Sequence, residues 1–173
     1  MIPSRETIEA IRAIVLDVDG VLTDGRSLFG LPEEVKFFHL RDGHWMKLAL
    51  RAGLQVGLLS GRASAANRAR AAELGLSFCY ENCKDKLEGF ERLLRERRLE
   101  ARECLYMGDD VIDMPVMRRV GIAVAVADAV PELDEVAAFR TAAPGGHGAV
   151  CEAIHWLLGG QGRLGAVMER YRR

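Results

Sequence analysis

LDVDGVLTDG, residues Leu16 to Gly25, is the stretch of sequence that decides the fold. It continues the apolar run Ala13 to Leu16, which is typical of a buried strand. Asp17 and Asp19 therefore stand where that strand ends, and Gly20 allows the backbone to turn. Ligands of open parallel α/β sheets bind outside the carboxyl ends of the strands. Two carboxylates at such an end indicate a cation site, a nucleophile, or both.

Apolar runs typical of strands alternate along the chain with segments of helical periodicity. The predicted strands are 13–16, 54–59, 76–80, 104–107, 122–126 and a short piece near Phe139, and the predicted helices are 43–52, 64–74 and 85–99. This alternation predicts an α/β fold, a three-layer α/β/α Rossmann-like parallel sheet with helices on both faces. One interruption lies at about 25–42, where RSLFG-LPEE-VKFFHL predicts a small β-hairpin insertion around a turn that contains proline.

Length and charge narrow the class of protein. The 173 residues favour a single domain over 1–173, with a C-terminal helix and tail at about 149–173. The formal net charge is −1 and the charges of both signs are interleaved, so we expect no nucleic-acid partner. No apolar run approaches the roughly 18 residues of a membrane span, and the first residues lack the apolar core of a signal peptide. We therefore expect a cytoplasmic protein with no membrane partner.

Four polar signals follow predicted strands, and a parallel sheet brings them to one edge. They are Asp17 with Asp19, the run Ser60-Gly61-Arg62, Lys86 at the start of a helix, and GDDVID from Gly108 to Asp113. Several carboxylates in one place repel one another and imply a divalent cation, and their hard oxygen atoms suit Mg²⁺. If the substrate is a phosphate ester, one aspartate can attack phosphorus and a second can transfer protons. The serine and the lysine can then bind phosphate oxygens.

The same residues carry a resemblance. DVDGVLTDG, LLSGR, the lysine of KDKLEGF, and GDDVID resemble the four motifs of the haloacid dehalogenase superfamily of phosphotransferases. The similarity covers roughly residues 11–165, and RDG, AVADA and GGHGAV resemble the small capless branch that hydrolyses 3-deoxy-D-manno-octulosonate 8-phosphate (KDO 8-phosphate) and sialic-acid-type sugar phosphates. The resemblance implies a Mg²⁺-dependent phosphatase that forms an aspartyl-phosphate. It also implies a homotetramer, in which the hairpins pack together and neighbouring subunits help to close the active site in place of a cap domain.

The resemblance assigns roles to the acidic residues. Asp17 would be the nucleophile and a magnesium ligand. Asp19 would be the general acid/base and would bind the metal through its backbone carbonyl, and Asp109 would be the third protein ligand. Asp110 and Asp113 would lie nearby and support the metal ligands. Either of these two could instead cap the short helix that follows.

The resemblance also assigns the substrate contacts. Ser60, with the Gly61 amide, would hold the phosphate, and Lys86 would orient the nucleophile and the phosphate. Arg62 would contact the substrate, although a solvated surface position is the alternative. His147 stands where the branch commonly has an arginine, and it is either a pH-dependent substrate contact or a loop residue.

A second departure keeps the substrate open. Trp45 follows RDGH where the branch usually reads RDGxG, which places a bulky side chain near the pocket mouth, or in the core or an interface. Neither Trp45 nor His147 alters the phosphoryl-transfer residues. KDO 8-phosphate is therefore the first expectation, and a nonulosonate 9-phosphate or another sugar phosphate is the alternative. A non-catalytic tetrameric scaffold is less expected, because all the motif residues are present.

Overall fold

The computed structural model describes residues 3–28 and 34–172. The strands are β1 Ala13–Leu16, β2 Gln55–Leu59, β3 Phe78–Tyr80, β4 Cys104–Gly108, β5 Ile122–Ala125 and β6 Phe139–Arg140. All pairings are parallel, and the sheet order is β3-β2-β1-β4-β5-β6. The α-helices are α1 Arg5–Ala10, α2 Leu40–Arg51, α3 Ala65–Leu74, α4 Lys86–Arg97, α5 Met114–Met117, α6 Ala149–Gly160 and α7 Leu164–Met168.

The side chains of β1 alternate between two buried cores. Ile14 and Leu16 belong to the core that α2, α3 and α6 cover. Ala13 and Val15 belong to the core that α4 and α5 cover on the opposite face. Parallel sheets are buried on both faces in this way, because their crossover helices pack on each side. The predicted three-layer α/β/α fold is therefore confirmed.

The helices at the two ends of the chain differ from the prediction. The short helix α1 was not predicted, and the Ser4 hydroxyl caps it by accepting a hydrogen bond from the Thr7 amide at 3.1 Å. At the other end, α6 ends at Gly160 and a turn with Gly162 at φ 68° precedes α7. Within the described ranges, no helix combines the length and the apolar character that crossing a membrane requires.

The segment predicted as a β-hairpin contains no strand in its described residues. Residues 26–28 and 34–39 have no regular secondary structure, and the predicted turn at 29–33 lies outside the described residues. The physical reason is that an isolated two-stranded hairpin is marginally stable, since one of its faces has nothing to pack against. Lys36 nevertheless points inwards, with its side chain 1% exposed, whereas Phe37 is 82% exposed.

Asp42 of the RDG motif ties α2 to α6. Its two carboxylate oxygens accept hydrogen bonds from the amides of Cys151, at 2.8 Å, and Gly148, at 3.2 Å. These amides lie at the start of α6, where backbone donors have no partner within the helix. The next residue, Gly43, has no room for a side chain, because the Arg70 guanidinium packs against it. The RDG motif therefore has a structural role in joining these helices.

Candidate active site

The four predicted polar signals meet at one cavity of about 250 Å³ at the carboxyl edge of the sheet. Because β1 lies between β2 and β4, the loops that follow these three strands are neighbours. The start of α4 adds Lys86. The lining residues named by the sequence are Asp17, Asp19, Ser60, Gly61, Arg62, Lys86, Asp109 and Asp110.

Asp17 is buried directly after β1 and forms an ion pair with Lys86. The Lys86 Nζ atom lies 2.9 Å from Asp17 Oδ1 and 2.6 Å from Asp113 Oδ1. Burial and the charge of Asp113 raise the pKa of Asp17 to about 6, although Lys86 acts in the opposite direction. Burial by itself lowers the pKa of Lys86, but the charges of Asp17 and Asp113 outweigh it and the net shift is upward. The ammonium group is therefore a fixed positive charge between two carboxylates.

Asp113 is fully buried, and both of its oxygens are occupied. Oδ1 accepts hydrogen bonds from Lys86 and from the Tyr106 hydroxyl, each at 2.6 Å. Oδ2 accepts from the amides of Asp109, at 3.0 Å, and Asp110, at 3.2 Å. Two bonds to each oxygen use the usual acceptor positions of a carboxylate. Asp113 therefore orients Lys86 and the loop after β4 rather than offering lone pairs to a ligand.

Tyr106 is a site residue that the sequence did not reveal, because a tyrosine in an apolar strand is also typical of the core. Burial and the nearby charge of Asp113 raise its pKa well above the usual value. The phenol therefore stays protonated and donates to Asp113.

The carboxylate cluster fits a divalent cation. Asp17, Asp109 and Asp113 each place one carboxylate oxygen within 4.8 Å of the others. The Asp109 amide donates to Asp113, but its carboxylate accepts no hydrogen bond from the described residues. Burial and then the charge of Asp17 raise the pKa of Asp109 to about 8. Since Asp113 is saturated, Asp17 and Asp109 are the carboxylates with oxygen atoms left to bind a hard cation such as Mg²⁺.

Asp19 lies between two cations. Lys36 Nζ is 2.6 Å from its Oδ1, and Arg62 Nη1 is 3.9 Å from its Oδ2. Arg62 also donates to Glu34 at 2.6 Å and to Ser27 at 3.1 Å. Arg62 is thus held at the cavity wall. Lys36 was missed, because a single lysine in an apolar run carries no motif and its partner lies 17 residues away.

Ser60 and Asp110 have local hydrogen-bonding roles in this structure. Ser60 is 1% exposed, and its hydroxyl accepts a hydrogen bond from the Arg62 amide at 3.3 Å, which shapes the loop after β2. The Asp110 carboxylate accepts from the Val111 amide at 2.6 Å and caps the short 3-10 helix Val111–Asp113. Asp110 was expected either to support the metal ligands or to cap the short helix, and this geometry matches the cap.

The two positions that depart from the motifs lie outside the cavity lining. Trp45 is half-buried and packs edge-on against His155, with ring centroids 5.1 Å apart. His147 is exposed, and its amide donates to the Pro144 carbonyl at 3.2 Å. In the described part of the chain, both residues have surroundings that are typical of structural positions.

The late glycine motif supports the loop after β1. The Gly146 amide donates to the Val21 carbonyl at 2.9 Å, and a Cβ atom at Gly145 would collide with the Gly20 carbonyl. Gly20 itself has φ +90°, and a Cβ atom there would collide with the Asp109 carboxylate. Glycine is therefore required at these positions so that three loops can approach closely around the carboxylates.

Comparison with known proteins identifies the family. Residues 77–154 match the family model of haloacid dehalogenase-like hydrolases. The 3-deoxy-D-manno-octulosonate 8-phosphate phosphatase of Escherichia coli strain K12 is 43% identical over 157 residues, which cover 90% of this chain and 84% of the relative. The chain belongs to the haloacid dehalogenase-like hydrolase family. The resemblance inferred from its motifs is therefore confirmed.

Solved structures of the family share the fold. A probable YrbI family phosphatase of Pseudomonas syringae has a TM-score of 0.93 and 39% identity, covering 98% of this chain and 97% of that one. The KDO 8-phosphate phosphatase of Moraxella catarrhalis has a TM-score of 0.92 and 29% identity, covering 96% and 97%. That structure is a complex with a magnesium ion, a phosphate ion and KDO. The similarity thus extends over nearly the whole chain.

We predict that Gly20→Ala weakens Mg²⁺ binding by about tenfold to a hundredfold, because the new methyl group displaces the Asp109 carboxylate. Isothermal titration calorimetry with MgCl₂ measures the affinity. Gly53→Ala is the matched control, since Gly53 has φ +86° but nothing within 4 Å of its Cβ position. Equal losses of affinity in the two variants would show that backbone strain, rather than the contact with Asp109, is responsible.

Mg²⁺ is expected to stabilise the fold more at high pH than at low pH. The raised pKa values of Asp17 and Asp109 mean that the metal-free native state binds more protons than the unfolded chain between about pH 4 and about pH 8. Its stability therefore falls as the pH rises through this window. At about pH 8, Mg²⁺ at roughly 100 times its Kd should stabilise the protein by about 2.7 kcal/mol, and at about pH 5 by much less.

Thermal unfolding with and without MgCl₂ at the two pH values measures this difference, with NaCl of equal ionic strength as the control. The Asp109→Asn variant should lose most of the shift at about pH 8. A shift in Tm that is the same at both pH values would contradict the assignment of the metal to these carboxylates.

Proposed function

We propose that this chain is a Mg²⁺-dependent phosphatase that hydrolyses KDO 8-phosphate to KDO and phosphate. The observation that carries the proposal is the convergence of Asp17, Asp19, Lys86 and Asp109 on one cavity. The substrate is supported by the name of the Escherichia coli relative, 43% identical over nearly the whole chain. Since Trp45 and His147 lie outside the cavity lining, no observation favours the nonulosonate alternative.

In the first half of the reaction, Asp17 is the nucleophile. Its carboxylate oxygen forms a bond to phosphorus as the bond between phosphorus and the sugar oxygen breaks. Asp19 donates a proton to the departing sugar oxygen, so that an alcohol leaves. Lys86 holds Asp17 Oδ1 and fixes the direction of attack. When bound, Mg²⁺ supplies the positive charge that lets an anionic carboxylate approach an anionic phosphate.

In the second half, water replaces Asp17. Asp19 takes a proton from a water molecule, and the oxygen of that water attacks phosphorus. The bond between phosphorus and Asp17 then breaks. The Ser60 hydroxyl and the Gly61 amide bind the phosphate oxygens through both steps. The carboxylates of Asp17 and Asp109, with the backbone carbonyl of Asp19 as the family resemblance implies, would hold the metal.

The sugar acid extends past Arg62. This side chain lines the cavity and forms an ion pair with Glu34, so its guanidinium group is held in place at the wall. A planar guanidinium group binds a carboxylate through two parallel hydrogen bonds. Arg62 is therefore the residue that we assign to the acid group of the substrate.

The functional chain is a homotetramer in this proposal. Four side chains around the insertion are apolar and exposed, and we call them the insertion surface: Leu28 at 55%, Val35 at 41%, Phe37 at 82% and Leu40 at 80%. Four exposed apolar side chains within one short segment of the chain are consistent with a protein contact. A second copy of the chain is the partner that the family resemblance implies.

Asp17→Asn should abolish turnover of KDO 8-phosphate, with kcat lower by on the order of 10⁴-fold or more, because the nucleophile is lost. Phosphate release from a panel of sugar phosphates, with MgCl₂ present, measures kcat/KM and should show the highest value for KDO 8-phosphate. Asp134→Asn, an exposed aspartate outside the cavity lining, is the control and should keep full activity. Retained Mg²⁺-dependent turnover in Asp17→Asn would refute the mechanism, and a preference for a nine-carbon acid would refute the substrate.

Phe37→Glu should convert the tetramer into smaller species, because a charge on the insertion surface cannot be buried without a partner. Size-exclusion chromatography with light scattering measures the mass. Val111→Glu changes an apolar side chain that is 47% exposed outside this surface, and it should remain tetrameric. A wild-type protein that is monomeric, or a tetrameric Phe37→Glu, would be evidence against the assembly.

A further inference from the structure

Lys36 is a buried lysine that the reaction described above does not use. Its side chain is 1% exposed, although it lies in a segment without regular structure, between Val35 at 41% and Phe37 at 82% exposure. Burying an ammonium group is costly unless it is paired. The charged side chain of Lys36 therefore points inwards, while its apolar neighbours point to solvent. This is the reverse of the usual preference of charged and apolar side chains.

The partner of Lys36 is Asp19. Its Nζ lies 2.6 Å from Asp19 Oδ1, and the next carboxylate, Glu34, is 3.8 Å away. The arrangement parallels Lys86, whose Nζ lies 2.9 Å from Asp17 Oδ1. Each carboxylate of the DxD motif thus has its own buried lysine.

We propose that Lys36 is the positioning residue of Asp19: by holding Oδ1, it directs Oδ2 towards the leaving oxygen of the substrate. This inference rests on the phosphatase proposed above. Oδ2 accepts no hydrogen bond from the described residues, and Arg62 stays 3.9 Å from it. Oδ2 is therefore the oxygen placed for proton transfer to the ester oxygen, which leaves as its bond to phosphorus breaks.

A purely structural role for Lys36 is less consistent with the contacts. The insertion is already tied to the loop after β2 by Arg62, which donates to Ser27 at 3.1 Å and to Glu34 at 2.6 Å. These two hydrogen bonds anchor the insertion on both sides of 29–33 without Lys36. The pair with Asp19 adds a constraint on the carboxylate itself.

The dependence on the leaving group tests the proposal. A sugar alkoxide needs a proton to depart, whereas p-nitrophenolate departs without one. In the whole chain, Lys36→Met should lower the single-turnover rate of sugar release from KDO 8-phosphate and ribose 5-phosphate by about 100-fold, the usual contribution of a positioned acid. The same variant should lower the single-turnover rate of p-nitrophenolate release, which reports the first half-reaction alone, by less than about threefold, with KM almost unchanged for all three esters.

Two further variants separate positioning from folding. Lys36→Arg keeps a charged donor that can bind Oδ1 of Asp19, so it should recover at least about tenfold of the loss on the sugar phosphates. Lys84→Met removes an exposed lysine near the start of α4 and should leave all three rates unchanged. Thermal unfolding of each variant reports whether the fold is retained.

The outcomes distinguish this inference from the proposed function. An equal loss of the single-turnover rate for sugar and nitrophenyl esters, or a change confined to KM, would overturn the role of Lys36 while leaving the phosphatase intact. A wild-type protein that hydrolyses ribose 5-phosphate but not KDO 8-phosphate would overturn the substrate alone. A wild-type protein that hydrolyses no phosphate ester would overturn both.

Discussion

The structure depends on holding several carboxylates together at the carboxyl ends of β1 and β4. Parallel pairing of Leu16 with Met107 places Asp17 beside the loop that carries Asp109 and Asp113. Lys86 offsets part of the repulsion, but burial, together with the repulsion that remains, raises the pKa of Asp17 and of Asp109. Burial and repulsion of these carboxylates destabilise the metal-free fold and favour cation binding, because the free energy that is lost without the metal is recovered when the metal binds.

The site is also supported by residues that do not line the cavity. Tyr106 and the amides of Asp109 and Asp110 fix the carboxylate of Asp113 by hydrogen bonds, and Asp113 in turn fixes the position of Lys86. The close packing of Gly145 against the carbonyl of Gly20 supports the loop after β1. Asp42, which caps α6, anchors the helix that follows this glycine loop. Catalytic geometry requires such support, since displacements of about 1 Å are costly to rate.

Sequence patterns predicted the sheet well, because a strand buried on both faces has a strong local signal. Residues 13–16 were predicted and are observed with the same bounds. The convergence of Asp17, Ser60 and Lys86 was predictable for a topological reason, since parallel strands end at one edge. Lys36 and Asp42 were not predictable as partners, because their contacts span 17 and up to 109 residues and leave no periodic trace. The hairpin prediction relied on a local alternation that has no packing partner in the single chain.

Successive side chains of the insertion alternate between the active site and the outer surface. Glu34 and Lys36 face the site, through Arg62 and Asp19, while Val35 and Phe37 face outwards. A cavity of about 250 Å³ is smaller than the roughly 300–1,000 Å³ typical of ligand pockets, so part of the proposed eight-carbon substrate would extend beyond the walls that one chain supplies. A neighbour that covers Phe37 would restrict the insertion and thereby press Lys36 against Asp19. Substrate enclosure and proton transfer would then depend on the same short segment, and selectivity would be coupled to assembly.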